Sequence, residues 1–402
     1  MRISLETLGC KLNQAETELL ARQLATAGHE VVTGGEPADV VIVNTCTVTG
    51  TADRKSRQLL RAARRRNPGA LVVATGCYSE RAAEDVGKTD GVGLVVGNEA
   101  KAGLTGLLAK MGYGASFAGG RATAPGLRTR SLVKIQDGCA SFCAYCVVPL
   151  VREKETSLPV AEVIGDIQRR EADGYREVVL TGTKVGTYRY EGTDLGGLLA
   201  AILAETNAPR LRLSSLQPPE ISDDLLEQWR DRRLCPHLHL SLQSGSDSVL
   251  ARMNRGYTTG DYQRAVTRIR ERVADVAITT DVITGFPGET DDEFEESVEF
   301  CRRMGFARIH VFPYSVRTGT MAASMPGRVS AAVRKRRSDT MLALAEEAAA
   351  AFRRRFAGTM RPVLWEQRSA DGVWTGLTDN YIRVSTRSEE ELGNRVAPGL
   401  VG

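Results

Sequence analysis

Residues 132–149 read Leu-Val-Lys-Ile-Gln-Asp-Gly-Cys-Ala-Ser-Phe-Cys-Ala-Tyr-Cys-Val-Val-Pro and place Cys139, Cys143 and Cys146 on one short stretch. Thiolates at i, i+4 and i+7, just after the strand-like run Leu132 to Gln136, can wrap three corners of an iron–sulfur cubane and leave one iron without a protein ligand. Such an iron can chelate the amino and carboxylate groups of S-adenosylmethionine and pass one electron into its sulfonium, releasing a 5′-deoxyadenosyl radical. Three cysteines suit that chemistry, whereas four would close the cluster. The competing use of closely spaced thiolates is a zinc knuckle completed by a distant Cys or His. Zinc ligands come in Cys-x-x-Cys and His-x-x-x-His pairs, and no second pair follows Cys146 at knuckle distance.

With Tyr145 as the aromatic residue before the last cysteine, the stretch resembles the Cys-x-x-x-Cys-x-Φ-Cys signature of the radical SAM superfamily. A second set of thiols is less local. Ile3 to Leu8, Val40 to Asn44, Leu71 to Thr75 and Leu94 to Val96 read as short apolar strands alternating with helical stretches such as Asn13 to Ala27 and Ala52 to Arg66. That alternation predicts a doubly wound parallel α/β domain. Ligands in such sheets bind beyond the carboxyl ends of the strands, and Cys10, Cys46 and Cys77 each follow a strand there. Three buried structural cysteines are the plainer use, but three successive strand ends can gather a second three-thiolate site.

The stretches from Thr7 to Glu18, from Asn44 to Thr49 and from Ala52 to Gln58 narrow the resemblance to the radical SAM methylthiotransferases. The Lys11-Leu12-Asn13 choice is most similar to the branch acting on threonylcarbamoyladenosine in tRNA. Other branches act on isopentenyladenosine in tRNA or on a ribosomal-protein aspartate. The resemblance implies two [4Fe-4S] clusters and S-adenosylmethionine as cofactors. It implies that the Cys10, Cys46 and Cys77 cluster carries the sulfur and that the Cys139, Cys143 and Cys146 cluster cleaves S-adenosylmethionine. A methylthio group would then replace the hydrogen on carbon 2 of the adenine at position 37. No side chain is assigned an acid–base role, because that hydrogen is not acidic. The partners implied are tRNA, an external electron donor such as a flavodoxin, and a sulfur donor. A non-catalytic, metal-containing RNA-binding protein is the alternative from another class.

After the cysteine loop, Glu177 to Thr181, Leu211 to Ser214, His237 to Leu242, Ala277 to Ile283 and Arg308 to Phe312 repeat as strands separated by helical stretches. They predict a partial, TIM-like (β/α) barrel, with its chemistry at the C-terminal strand ends. By resemblance, Tyr145, Gly182 in Leu180-Thr181-Gly182-Thr183, Ser241 and Gln243 in the Leu240 to Ser246 segment, and Asp281 in the Thr280 to Thr290 segment are the candidates for contacting S-adenosylmethionine. Arg317 is placed to meet a phosphate or carboxylate. Residues 150–155 depart from the family, which has a glycine-containing basic stretch there. Cys235 and Cys301 read as inert core thiols, and the histidines supply no ligand pair on a helix.

Residues 97–127 are Gly- and Ala-rich and read as a linker. Val329 to Ala357 reads as one long helix carrying Arg334, Lys335, Arg336, Arg337, Arg353, Arg354 and Arg355, a stripe able to face RNA. Beyond it, Pro362 to Glu366, Val373 to Leu377 and Tyr381 to Ser385 predict a small β-barrel similar to a TRAM domain, a tRNA-binding module, with its last strand short or missing. Trp365, Trp374, Tyr381 and Arg383 are its candidate RNA contacts, with barrel core the alternative for the tryptophans. The expected units are 1–126, 127–356 and 357–402.

At 402 residues with 42% hydrophobic side chains, the chain has ample core for several domains. No apolar run is long enough to span a membrane, and the N-terminus lacks a signal-peptide core. Eight cysteines are too sparse for a disulfide scaffold, so a reducing cytoplasm is expected. The net charge of +4 is mild, but Arg54, Lys55, Arg57, Arg61, Arg64, Arg65 and Arg66 are bunched with only Asp53 opposing them. Such a block suits a phosphate backbone or, more plainly, a solvated helix face.

Overall fold

Apolar runs at the N-terminus form the parallel strands β1 (Arg2–Thr7), β2 (Glu30–Val32), β3 (Val40–Thr45), β4 (Leu71–Gly76) and β5 (Val92–Val96). A computed structural model describes residues 1–32, 34–114 and 129–402. The strand order β2-β1-β3-β4-β5 puts a topological switch point between β1 and β3, where crossover helices leave for opposite faces. Helices α1 (Lys11–Thr26) and α2 (Gly50–Arg66) follow β1 and β3, and the short α3 (Cys77–Arg81) and α4 (Ala83–Gly87) follow β4. Thr49 caps α2 by accepting from Ala52 N at 3.1 Å. One apolar core lies under α1 and a second under α2, as a sheet covered on both faces requires. The segment read as a linker begins instead with a 3-10 turn and α5 (Leu104–Lys110), which buries Leu104 and Leu108 against β1 and β3 residues. Its glycines hid the helix. Residues 115–127 of that linker, and with them the 126/127 boundary, lie outside the described residues.

The second unit is a six-strand open barrel. Its strands are β6 (Arg130–Lys134), β9 (Glu177–Thr181), β12 (Arg210–Leu213), β14 (His237–Leu240), β15 (Ala277–Thr284) and β16 (Arg308–Pro313). After β12 the chain bends at Ser214, whose N–H still reaches Leu180 O at 2.9 Å, and continues as β13 (Ser215–Leu216) paired to β14. One bent strand thus joins the sheet β12-β9-β6 to the sheet β13-β14-β15-β16. Short ladders lie outside these strands: β7 (Gln136–Asp137) pairs with β8 (Thr156–Ser157), and β10 (Arg189–Tyr190) with β11 (Thr193–Asp194). The outer helices are α6 (Val160–Ala172), α7 (Leu195–Glu205), α8 (Asp223–Glu227), α9 (Asp247–Arg252), α10 (Thr259–Arg272), α11 (Asp291–Met304) and α12 (Met321–Ser324). Thr258/Asp261 and Thr290/Glu293 form capping boxes that start α10 and α11.

The barrel's open seam is covered by α1. Ala15 packs on Leu132 and Val179, and Glu18 accepts from the edge-strand N–H of Leu132 at 3.4 Å. Helix α13 (Ala331–Arg354) packs against β16 and leads into an antiparallel sheet of β17 (Met360–Arg368), β18 (Val373–Thr378), β19 (Arg383–Arg387) and β20 (Val396–Leu400), ordered β19-β18-β17-β20. The last strand, expected to be short or missing, pairs with β17 over five residues despite Pro398 and Gly399. Both tryptophans belong to this sheet's core, 2% and 3% exposed, so neither Trp365 nor Trp374 is free to stack on a base. Tyr381 is also taken, since its ring stacks on His237 at 4.2 Å. The basic stripe on α13 is not uniform either: Arg337 is buried and pairs with Glu289 at 2.7 Å.

Candidate active site

Cys10, Cys46 and Cys77 stand immediately beyond β1, β3 and β4, the first two flanking the switch point. Two glycines make the approach possible. Gly9 has φ +123°, and a Cβ on it would lie 2.9 Å from Cys46 Cβ; Gly76 has φ +95°, and a Cβ would lie 2.5 Å from Thr45 O. Asn13, on the first turn of α1, fastens the strand ends by donating to Leu8 O at 3.0 Å and Thr45 O at 2.9 Å. Its Oδ1 then faces both Cys10 Sγ and Cys77 Sγ at 3.9 Å. Cys10 is exposed, whereas burial pushes the Cys46 thiol up to about 11. A thiol so desolvated ionises when a metal takes it, because a coordinating cation deprotonates its thiol ligands.

The second triad sits on the loop after β7, and its backbone is pinned on several sides. Cys146 N donates to Cys143 O at 2.9 Å, Ala144 N to Met253 O at 2.9 Å, and Ala322 N to Ala144 O at 2.8 Å. Arg255 reaches in from the end of α9, with Nη1 3.1 Å from Cys143 Sγ and 3.4 Å from the Tyr145 hydroxyl. Tyr257 steadies that guanidinium and anchors itself by donating to Ser241 O at 2.6 Å. Burial pushes Cys146 up to about 12, so this loop too presents a reluctant thiol near a fixed cation. Six sulfurs in two triads, each a ligand short of closure, are a donor set that fits two clusters with one open iron apiece. The remaining two thiols stay apart: Cys235 and Cys301 are buried in the barrel wall, with burial pushing Cys301 up to about 12.

Arg152 lies between the triads. It belongs to the stretch 150–155, and its side chain is 3% exposed. The guanidinium meets Glu16 of α1 at 2.8 and 2.9 Å, Asp137 at 2.7 Å and Asn13 Oδ1 at 3.3 Å, while Nε lies 3.4 Å from Cys77 Sγ. Its carbonyl accepts from Cys139 N at 3.4 Å. Lys101 at 2.5 Å and Lys134 at 3.2 Å also pair with Glu16, and these cations hold its carboxyl well below the usual carboxylate range in spite of burial.

The residues expected to meet S-adenosylmethionine occupy three places. Tyr145 lies beneath the cluster loop, against the core of Ala144, Phe286 and Tyr314. Ser241 and Gln243 end the β14 strand line next to Asp281, whose carbonyl accepts from Gln243 N at 2.8 Å. Gln243 is buried with φ +74°, an uncommon conformation for a residue with a side chain. The carboxylate of Asp281 is already engaged by His239 Nε2 at 3.2 Å, with the His310 ring 5.9 Å from that of His239. Gly182 has a reason of its own to be glycine, since a Cβ there would lie 2.7 Å from Gln136 O. Arg317 does meet a carboxylate, that of Asp53 on α2 at 2.7 Å, so Asp53 is not available to balance the basic block around it.

Sequence reasoning missed Glu16, Asp137, Arg152, Arg255 and Tyr257 as parts of the site. Only Arg152 left a signal, as a basic residue in the 150–155 stretch that the sequence reading set apart.

A family model described as Radical SAM superfamily matches residues 133–301, and one described as Uncharacterized protein family UPF0004 matches residues 2–97. Over 98% of its length the chain is 36% identical to the threonylcarbamoyladenosine tRNA methylthiotransferase MtaB of Thermotoga maritima, covering 92% of that protein. It is 33% identical, with the same two coverages, to the MtaB of Bacillus subtilis. The chain belongs to the radical SAM methylthiotransferase family. Within that family it is also 31% identical, over 97% of its length and 94% of the relative's, to the tRNA-2-methylthio-N(6)-dimethylallyladenosine synthase of Endomicrobium trichonymphae. The radical S-adenosylmethionine methyltransferase TsrM from Kitasatospora setae superposes with a TM-score of 0.61 at 15% identity, covering 80% of this chain and 77% of that one, and shares the fold.

Proposed function

We propose that this methylthiotransferase acts on carbon 2 of N6-threonylcarbamoyladenosine at position 37 of tRNA. The observation that carries the reading is that one buried network, Asn13–Arg152–Asp137, joins the two cysteine triads, with Arg152 Nε 3.4 Å from Cys77 Sγ and its carbonyl accepting from Cys139 N at 3.4 Å. The names of the relatives in Thermotoga maritima and Bacillus subtilis and the Lys11-Leu12-Asn13 stretch support the substrate.

In this reading Cys10, Cys46 and Cys77 hold the auxiliary [4Fe-4S] cluster, and Cys139, Cys143 and Cys146 hold the one that binds S-adenosylmethionine. When bound, these groups supply one-electron and sulfur chemistry, which suits a carbon–hydrogen bond with no acidic proton for a base. The chain's own residues hold and orient. Arg255 sets its charge beside the Cys143 sulfur, and Tyr257 fixes Arg255 to the end of β14. Tyr145, Gly182, Ser241, Gln243 and Asp281 frame S-adenosylmethionine around the C-terminal strand ends. Residues 1–126, 127–356 and 357–402 are the auxiliary-cluster, radical and RNA-binding units. A groove of about 360 Å³ between α13 and the C-terminal sheet, lined by Arg308 and Arg353 and by Arg130 and Arg383, which share Glu366, offers the guanidinium groups of Arg308 and Arg353 to the tRNA backbone. An electron donor of the flavodoxin kind and a separate sulfur donor complete the reaction in the cytoplasm. Among the described residues no helix is long and apolar enough to cross a membrane.

The test is mass spectrometry of tRNA after incubation with anaerobically reconstituted enzyme. Methylthio product is expected on tRNA bearing threonylcarbamoyladenosine and not on tRNA bearing isopentenyladenosine or on ribosomal protein. Product on isopentenyladenosine alone overturns the substrate. About eight irons per chain, falling to about four when Cys139, Cys143 and Cys146 are all replaced by Ala, are expected for two independent clusters.

A further inference from the structure

The barrel loop after the second triad carries a charged side chain back across the interface to touch a sulfur of the first. We infer that Arg152 is a positioning residue that acts through Cys77, raising the reduction potential of the auxiliary cluster while locking that cluster's strand ends to the S-adenosylmethionine loop. The inference rests on the reading that Cys10, Cys46 and Cys77 hold a cluster.

The contacts give Arg152 both functions. Its Nε–H is directed at Cys77 Sγ at 3.4 Å, and its carbonyl receives the N–H of Cys139, a member of the other triad. The guanidinium cannot swing away. Glu16 grips it from α1 and Asp137 from the strand leading into the second triad, each with both carboxylate oxygens at 2.7 to 2.9 Å. The Glu16 pair, with one oxygen on Nη1 and the other on Nη2, is bidentate and fixes the plane of the arginine as well as its position, while both Asp137 oxygens fall on Nη1. Asn98 reinforces the join by donating to Val151 O at 2.9 Å while its Nδ2 lies 4.0 Å from the same Cys77 sulfur.

Charge balance supplies the sign. Three cations (Arg152, Lys101 and Lys134) share two carboxylates (Glu16 and Asp137), leaving the network one positive charge in excess. Reduction places negative charge on a cluster and its sulfurs. A buried cation donating a hydrogen bond to one of those sulfurs stabilises the reduced form more than the oxidised one, and so raises the potential. A lysine here retains the charge but lacks the planar fork and the Nε–H.

The experiment is an EPR-monitored redox titration of the full chain with Cys139, Cys143 and Cys146 replaced by Ala, so that only the auxiliary cluster remains. It is run with Arg152 intact and as Arg152→Met and Arg152→Lys. With Met, reduction is expected to become at least tenfold less favourable, about 59 mV lower. With Lys, the potential is expected to fall between the two. An unmoved potential in a Met variant holding its full four irons overturns the inference. Should the Met variant fail to load iron, the Lys variant decides, and an unmoved potential there is equally fatal. Absence of iron from the Arg152-intact protein overturns the cluster reading itself, whereas four irons with no Arg152 effect overturns only the role of Arg152.

Discussion

Asn13 does at the scale of one side chain what the switch point does for the sheet. Its amide N–H groups satisfy the carbonyls of Leu8 and Thr45, which are the last turns of backbone before Cys10 and Cys46, and its carbonyl oxygen is left for the sulfurs and Arg152. Asn13 is fully buried, so truncation leaves those carbonyls without water. Asn13→Ala is expected to cost about 2–6 kcal/mol, measured by chemical denaturation, at about 1–3 kcal/mol for each of the two stranded carbonyls. The same variant should reconstitute with about four irons rather than about eight, because the triad it fails to assemble is the N-terminal one. Retention of all the iron would mean that the glycine turns at Gly9 and Gly76 hold the thiols without it. Asn13→Asp should be no better than Ala, since it exchanges the donor for a negative charge facing two thiolates.

Strands β9 and β12 carry an ion cluster that joins the barrel to the C-terminal sheet. Glu177 is completely buried and paired with Arg210 at 2.9 Å and Arg212 at 3.0 Å, and the two arginines in turn donate to Leu377 O, Thr378 O and Asp379 O. Although burial alone would raise its carboxyl, Arg212 and Arg210 hold Glu177 at about 2, below the ordinary 4.5. A carboxyl depressed on folding contributes stability that is fully present above its unfolded value and is lost as pH falls through the folded one. The contribution of Glu177 should therefore persist above about pH 4.5 and fade toward about pH 2. Glu177→Gln strands two buried guanidinium groups and should cost about 3–5 kcal/mol near neutrality, with a flatter acid limb in a pH series of denaturation midpoints. Of this scale, the sequence displays what is periodic or punctuated. Apolar runs ending in Gly-Cys or Thr-Cys mark β1, β3 and β4, and the wall strands of the barrel are visible as apolar repeats. It hides α5 behind glycines, and it hides the bend at Ser214 because a change of partner leaves no pattern. The Arg152 network was equally invisible, since Glu16 and Arg152 lie 136 positions apart and no local spacing records a contact over that range.

For the molecule as a whole, the question is what presents the tRNA to the two cysteine triads. The aromatics of the C-terminal sheet do not, because Trp365 and Trp374 are core and Tyr381 is stacked on His237. Charge remains. The basic block on α2 divides on folding: Arg57 reaches the Tyr78 hydroxyl at 2.5 Å and Arg66 pairs with Glu6, while Arg54, Lys55, Arg61 and Arg65 are exposed with no ion pair among the described residues. The helix bearing them is held to the barrel, because Arg317 beyond β16 binds Asp53 and Thr47 in a buried contact. A rigidly mounted set of four free cations is a phosphate-binding surface whose contribution is countable. Each phosphate neutralised adds about 0.7–0.9 to the slope of log affinity against log salt. Replacing Arg54, Lys55, Arg61 and Arg65 together by Ala should therefore flatten that slope by about 3 in filter-binding titrations with the substrate tRNA, and leave iron content unchanged. An unchanged slope would shift the electrostatic footprint to the groove lined by Arg130, Arg308, Arg353 and Arg383, where the same titration on Arg308→Ala and Arg353→Ala should then show the loss.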